Sequence, residues 1–211
     1  MATSLLSFDP VKRLASACYS FYWALRHPDG ANGTRGAFLA ATFRPEQASL
    51  TEDELPLLRE LVEESNRLEG PIVEIGTLLG LTTTKMALWK SPGKRIITVD
   101  KYCWNPWGLS RQAHQALAGH VLHYLVHAGH VQQVAMDKAA FYAAYRGPAP
   151  SLVFLDAVHD YVQTKADIAW ARQVNAGIVC GHDYSAEFPG VVRAVDEAGG
   201  PRRLGGTVWA L

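Results

Sequence analysis

Residues 72–80, Ile-Val-Glu-Ile-Gly-Thr-Leu-Leu-Gly, constrain the fold more than any other stretch of this 211-residue chain. Ile72 to Ile75 is a short run rich in β-branched residues, as a buried parallel strand requires. Gly76 and Gly80 bracket a tight turn, and Leu81 to Lys90 reads as the helix that follows. A strand passing through glycines into a helix gathers backbone N–H groups and the positive end of the helix dipole at one spot. The stretch therefore predicts a site for a small polar ligand. Its spacing is Gly-x-x-x-Gly, and Leu78 stands where a dinucleotide loop needs a glycine against the pyrophosphate. Glu74, two positions before the first glycine, would repel phosphates and suit a cationic ligand. The plain alternative is an ordinary strand–turn–helix connection.

The next strand narrows the ligand. Lys94 to Val99 is a second apolar run, and it ends in Asp100, 24 positions after Gly76. An acid at the carboxyl end of the second strand is placed to accept hydrogen bonds from a ribose diol. The alternative role for Asp100 is a turn or helix cap. Glycine loop and acid together predict an adenosine-bearing ligand without a pyrophosphate.

Composition excludes several classes. With 48% apolar residues the chain can build the core of one α/β domain and a short extension. Twenty basic and twenty acidic residues leave no formal net charge, and no Lys/Arg block argues for nucleic acid as a partner. Cys18, Cys103 and Cys180 are odd in number and widely spaced, so they read as reduced thiols of a cytoplasmic protein. Leu14 to Leu25 is apolar and follows Lys12-Arg13, but it is aromatic, interrupted by serines and lacks a small-residue cleavage site. It is also too short to span a bilayer. An added helix that covers the pocket or pairs subunits is the expected role.

Along the chain, strand and helix alternate without repeats. Residues 28–48 form a loop-rich connection, and Thr51-Glu52-Asp53-Glu54 reads as a capping box opening a helix to about Arg67. Strands are expected at 71–75, 95–99, 131–135, 151–155 and 177–180, with helices at 109–128, 138–145, 161–175 and 188–198. Leu204-Gly205-Gly206-Thr207 reads as a turn into a last strand, 208–211. This order predicts an α/β fold: a doubly wound, mostly parallel sheet with a C-terminal antiparallel hairpin. Residues 1–50 form an N-terminal helical extension, and 51–211 the ligand-binding domain.

In such sheets ligands sit beyond the carboxyl ends of the strands. There the sequence places Met136-Asp137, then Asp156 with His159 and Asp160, then His182-Asp183. Asp156, His159, His182 and Asp183 are expected to converge from neighbouring strands. Oxygen ligands with one or two imidazoles suit Mg²⁺, Mn²⁺ or a similar divalent ion. The alternative is that Asp156 and Asp183 cap the following helices. Tyr102 to Gly108, rich in aromatics, is expected beside the ligand or packed beneath a surface loop. His120, His123 and His127 share a face opposite Leu117, Val121 and Leu125, and read as a solvated face rather than a metal site.

Val-Glu-Ile-Gly-Thr-Leu-Leu-Gly, Val-Asp, Leu-Asp-Ala-Val-His-Asp-Tyr and Gly-His-Asp-Tyr together resemble the class I S-adenosylmethionine-dependent methyltransferases. More narrowly, they are similar to the small branch called methyltransferase family 24, with sugar and macrolide O-methyltransferases and cephalosporin-hydroxylase-like proteins. The resemblance covers about residues 70–200 and implies a Rossmann-like fold. It implies that Glu74, Gly76, Thr77 and Gly80 line the methionine part of S-adenosylmethionine, that Asp100 holds the ribose, and that Met136 and Asp137 contact the adenine. It also implies Asp156 and Asp183 as metal-binding carboxylates. Metal-dependent members tend to carry a second acid where this chain has His182, a residue that can itself ligate a metal or act as a base.

Methyl transfer from a sulfonium is an in-line displacement, so the protein must align the reactants and exclude water. A divalent ion on Asp156, Asp183 and His182 would lower the pKa of an acceptor hydroxyl, with His159, or second His182, as the base. The expected activity is O-methylation of a small molecule. The rivals are an NAD-type oxidoreductase, disfavoured by Leu78, and a non-catalytic S-adenosylmethionine-binding protein, disfavoured by the retained Asp156 and Asp183. No Gly-x-Ser-x-Gly elbow supports a hydrolase.

Overall fold

The computed structural model describes Cys18 and residues 50–211. The proposed lid or subunit contact in residues 1–50 otherwise lies outside the described residues. The elements in chain order are α1 (Leu55–Ser65), β1 (Ile72–Ile75), α2 (Leu81–Trp89), β2 (Ile96–Asp100), α3 (Arg111–Val121), α4 (His123–His127) and β3 (Val131–Ala135). Then follow α5 (Lys138–Ala144), β4 (Leu152–Leu155), α6 (Tyr161–Gln173), β5 (Ile178–Gly181), α7 (Pro189–Glu197), β6 (Arg203–Gly205) and β7 (Val208–Ala210).

The seven strands lie in the order β3-β2-β1-β4-β5-β7-β6, with β1 to β5 parallel and the last two antiparallel. Strand order reverses between β1 and β4, and the crevice outside their carboxyl ends is the place for a ligand. Both central strands are buried at every position, as a sheet covered on two faces demands. Alternation divides them between two cores. Ile72, Leu152 and Phe154 pack with Leu58, Leu61, Met86 and Leu122 under α1, α2 and the α3–α4 junction. Val73, Ile75 and Val153 pack with Phe141, Ile168, Trp170 and Val195 under α5, α6 and α7. The doubly wound expectation holds. Among the described residues no helix is long and apolar enough to cross a membrane.

Three local expectations need correction. The capping box forms only in half: Thr51 N–H donates to Glu54 Oε2 at 2.7 Å, but the α-helix starts at Leu55 and Glu54 gives its first amides no side-chain cap. The single helix over 109–128 is broken at Leu122, which turns into the core between α3 and α4. The buried side there is His114, Ala118 and Leu122, while Val121 is 40% exposed, so the apolar stripe assigned to Leu117, Val121 and Leu125 was rotated. His120, His123 and His127 are exposed. At the C-terminus, Leu204 and Gly205 belong to β6, and Gly206-Thr207 makes the turn.

Candidate active site

The loop after β1 is shaped by its approach to β4. Gly76 has φ +106°, and a β-carbon there would stand 1.9 Å from the carbonyl oxygen of Asp156. Only glycine tolerates both conditions. Leu78 also takes a left-handed φ of +46°, with its carbonyl 2.9 Å from His114 Nε2. His114 is buried, stacked edge-on against the buried Tyr102, and burial pulls its pKa down.

Asp100 organises this loop. Its Oδ2 accepts from Thr77 N–H at 3.0 Å and Leu78 N–H at 2.9 Å, and its Oδ1 accepts from Tyr102 N–H at 2.7 Å. The carboxylate still faces the cavity, so it combines loop-holding with exposure to a ligand. Glu74 does neither. It is 1% exposed, sits outside the cavity lining, and accepts from the hydroxyls of Thr98 at 2.6 Å and Thr83. Burial pushes its pKa up to about 8, helped by the nearby Asp156 and Asp100 charges and opposed by the two threonine hydroxyls. Gly80, at the start of α2 with φ +80°, likewise lies behind the cavity wall, against Leu122. In this structure Glu74 and Gly80 support the loop from behind and lie outside the cavity lining.

The cavity measures about 640 Å³, inside the range of roughly 300–1,000 Å³ typical of small-molecule sites. One end is lined by Gly76, Thr77, Asp100, Met136 and Asp137. Met136 is a partly exposed apolar surface at the end of β3, whereas Asp137 caps α5 by accepting from Ala139 N–H at 2.9 Å. Trp104, 68% exposed, stands at the rim.

The other end holds the acids and histidines of β4 and β5. His159 Nε2 lies 3.0 Å from Asp183 Oδ2 and 3.6 Å from Asp156 Oδ1. His182 Nδ1 lies 3.4 Å from Asp183 Oδ1 and 3.6 Å from the same Asp156 Oδ1. Its other nitrogen, Nε2, is 3.0 Å from Glu54 Oε1. Glu54 is nearly buried, and the same oxygen accepts from Thr207 N–H at 3.2 Å and Thr207 Oγ1 at 2.6 Å. Asp156 and Asp183 cap no helix; the cap of α6 is Asp160, which accepts from Gln163 N–H at 2.8 Å.

Charge balance follows from this packing. Burial alone would lower both imidazole pKa values, but the Asp156 and Asp183 carboxylates outweigh it, lifting His159 to about 9 and His182 to about 11. Burial would raise the acids, yet the same contacts hold Asp156 and Asp183 below the usual carboxylate range. Glu54 falls to about 2, because bonds from Thr207, Thr51 and His182 overcome its burial. Both ring nitrogens of His182 face carboxylates. Among the described residues, the group of side chains spaced to hold a metal ion is Asp156, His159 and Asp183.

The four residues expected to converge from β4 and β5 do so. The residue missed is Glu54, which reaches His182 across 128 positions. Its one sequence signal, the spacing from Thr51, points to a helix start and not to the site.

No family model matches the sequence, and no curated protein matches it. Solved structures do. An O-methyltransferase from Bacillus cereus in complex with S-adenosylhomocysteine is 16% identical with a TM-score of 0.54, over 93% of this chain and 88% of its own. The O-methyltransferase TomG from Streptomyces achromogenes, involved in tomaymycin synthesis and solved with S-adenosylmethionine, is 18% identical with a TM-score of 0.56, over 89% and 86%. CalS11, a TDP-rhamnose 3′-O-methyltransferase of calicheamicin biosynthesis, is 17% identical with a TM-score of 0.57, over 99% and 98%. This chain has the class I fold of the S-adenosylmethionine-dependent methyltransferases.

Proposed function

We propose that this protein is an S-adenosylmethionine-dependent methyltransferase acting on a hydroxyl of a small molecule. The observation that carries the reading is one cavity with two chemically different ends: Asp100 and Met136 at one, Asp156, His159 and Asp183 at the other. The bound cofactors in the Bacillus cereus and TomG structures support it by fold analogy.

Under this reading, Asp100 receives the ribose hydroxyls, Met136 offers an apolar platform to the adenine, and Gly76-Thr77 follow the methionine portion. S-adenosylmethionine supplies an electrophilic methyl group on a sulfonium. The chain aligns the acceptor oxygen with that methyl and excludes water, which lowers the barrier by orientation. Asp156, His159 and Asp183 fit a divalent ion, since His159 Nε2 is buried, faces two carboxylate oxygens and makes no aligned hydrogen bond. Such an ion supplies a Lewis acid that favours the ionised acceptor. His159, against the ring of Phe188 at a 4.8 Å centroid distance, holds the ion when one is bound and meets the acceptor proton only in its absence, since one Nε2 lone pair serves one partner.

Thermal-shift measurements with S-adenosylmethionine, S-adenosylhomocysteine and NAD, each with Mg²⁺ or EDTA, test the cofactor. Stabilisation by the first two is expected, and stabilisation by NAD alone would sink the reading. Mass-spectrometric detection of one added methylene on a panel of sugars, macrolides and phenols then tests the transfer. A panel in which Asp156→Ala transfers as well as the unaltered enzyme would remove the carboxylate cluster from it.

A further inference from the structure

We infer that His114, on α3 behind the cavity wall, is a positioning residue for the nucleoside end: its Nε2–H and its ring hold the two loops that face the ligand there. The inference rests on the methyltransferase reading above and adds to it a residue that touches no ligand.

Two loops form that end of the cavity. One follows β1 and carries Gly76, Thr77 and Leu78; the other follows β2 and carries Lys101 and Trp104 on either side of the buried Tyr102. Each turns at a residue other than glycine with a left-handed backbone, Leu78 at φ +46° and Tyr102 at φ +54°. A side chain disfavours that conformation, so it persists only where the surrounding contacts over-determine it, and such residues gather at ligand sites.

Two side chains, Asp100 and His114, grip both turns. Asp100 takes the amides, accepting from Leu78 N–H at 2.9 Å and Tyr102 N–H at 2.7 Å. His114 takes the carbonyl of one and the ring of the other. Its Nε2 lies 2.9 Å from the Leu78 carbonyl oxygen, and its ring stands edge-on to the Tyr102 ring at a 5.0 Å centroid distance. A carbonyl only accepts, so Nε2 carries the proton. The far end of Tyr102 is fixed as well, since Gln133 Nε2 donates to its hydroxyl at 2.6 Å.

Packing alone does not account for an imidazole at position 114. The residue is fully buried and stands outside the cavity lining, and its Nδ1 is buried without an aligned hydrogen bond. Removing that nitrogen from water is unfavourable, and an apolar side chain would fill the space at lower cost. The bond from Nε2–H to Leu78 is what the imidazole contributes. Without it, Asp100 holds the loop by its amides only, the free chain samples other loop shapes, and affinity falls by the fraction still in the competent shape.

The test is calorimetric titration of the full chain with S-adenosylhomocysteine, unaltered and in two variants. His114→Phe keeps a ring against Tyr102 and removes the donor, and its affinity should fall about tenfold. His114→Gln loses the ring but carries an amide N–H at the reach of Nε2, and should bind within about threefold of the unaltered chain. A role in packing alone predicts the reverse order, with His114→Phe the milder change. Should His114→Phe fold poorly, heteronuclear NMR of the unaltered chain reads the same contact. The His114 ring should carry its proton on Nε2, and saturating S-adenosylhomocysteine should slow exchange of that proton with water. Unchanged affinity in His114→Phe, a His114→Gln variant that binds no better than His114→Phe, a proton on Nδ1, or an exchange rate unmoved by the ligand each overturns the inference and spares the methyltransferase reading. An unaltered chain that binds no S-adenosylhomocysteine overturns both.

Discussion

Gly76 and Asp156 meet so closely that no side chain fits between them: the missing β-carbon would lie 1.9 Å from the Asp156 carbonyl oxygen. The contact joins the end of β1 to the end of β4, where strand order reverses. Through it the loop that carries Thr77 and Leu78 and the acid at the end of β4 share one backbone position.

Gly76→Ala should therefore damage both ends of the cavity. The added methyl clashes with backbone and demands a left-handed φ, and such changes cost several kcal/mol. Urea unfolding should show that loss, and calorimetry should find no S-adenosylhomocysteine binding in whatever fraction remains folded. A variant with normal stability would show that the two strands part readily.

Glu74 gives the stability a pH slope of unusual sign. Its folded pKa of about 8 lies above the ordinary glutamate value of 4.5, so the folded chain binds a proton that the unfolded chain has released between those values. Stability then falls as pH rises from about 4.5 to 8, by on the order of 5 kcal/mol at about 1.4 kcal/mol per pH unit. Below that window both states are protonated and the contribution is intact. Urea midpoints measured from pH 5 to 9 should decline for the unaltered chain, with a flatter profile for Glu74→Gln.

Asp100→Asn should separate loop-holding from ligand charge. The amide keeps one acceptor oxygen, whereas the carboxylate serves three backbone N–H groups with two. At least one buried donor loses its partner, at a cost of about 1–3 kcal/mol. A fall in denaturation midpoint with at least a tenfold weaker affinity for S-adenosylhomocysteine is the expected pair of results.

Trp104→Ala should do the opposite, weakening binding while sparing stability. The side chain is 68% exposed at the cavity rim, so its removal should change stability by less than about 0.5 kcal/mol. A lost aromatic contact of about 0.5–1.5 kcal/mol corresponds to roughly a two- to tenfold weaker ligand. Fluorescence or calorimetric titration beside a melting curve reads both quantities.

What the sequence discloses about this molecule is what short range dictates. β1 to β5 begin or end within one residue of expectation because apolar runs bounded by Gly, Pro and Asp announce themselves locally. Asp156, His159, His182 and Asp183 were legible because the parallel topology fixes where strand ends go. The burial of Glu74 was not legible, because position on a strand does not reveal which of two buried faces a side chain takes; its hydroxyl partners, Thr83 and Thr98, decide that. Leu122 breaks its helix to fill the core, a tertiary demand that overrode the periodicity of 109–128. Glu54 is the extreme case, since its partners His182 and Thr207 lie 128 and 153 positions away.

The Glu54 clasp also sets an order of events during synthesis. β1, β2 and β3, with Asp100 and Met136, leave the ribosome while His182 and Thr207 are still untranslated. Emerging at about 5–20 residues per second, the chain presents Gly76, Asp100 and Met136 several seconds before Glu54 can meet its partners. The end of the cavity held by Asp156, His159 and Asp183 is thus the last to be assembled as the chain emerges.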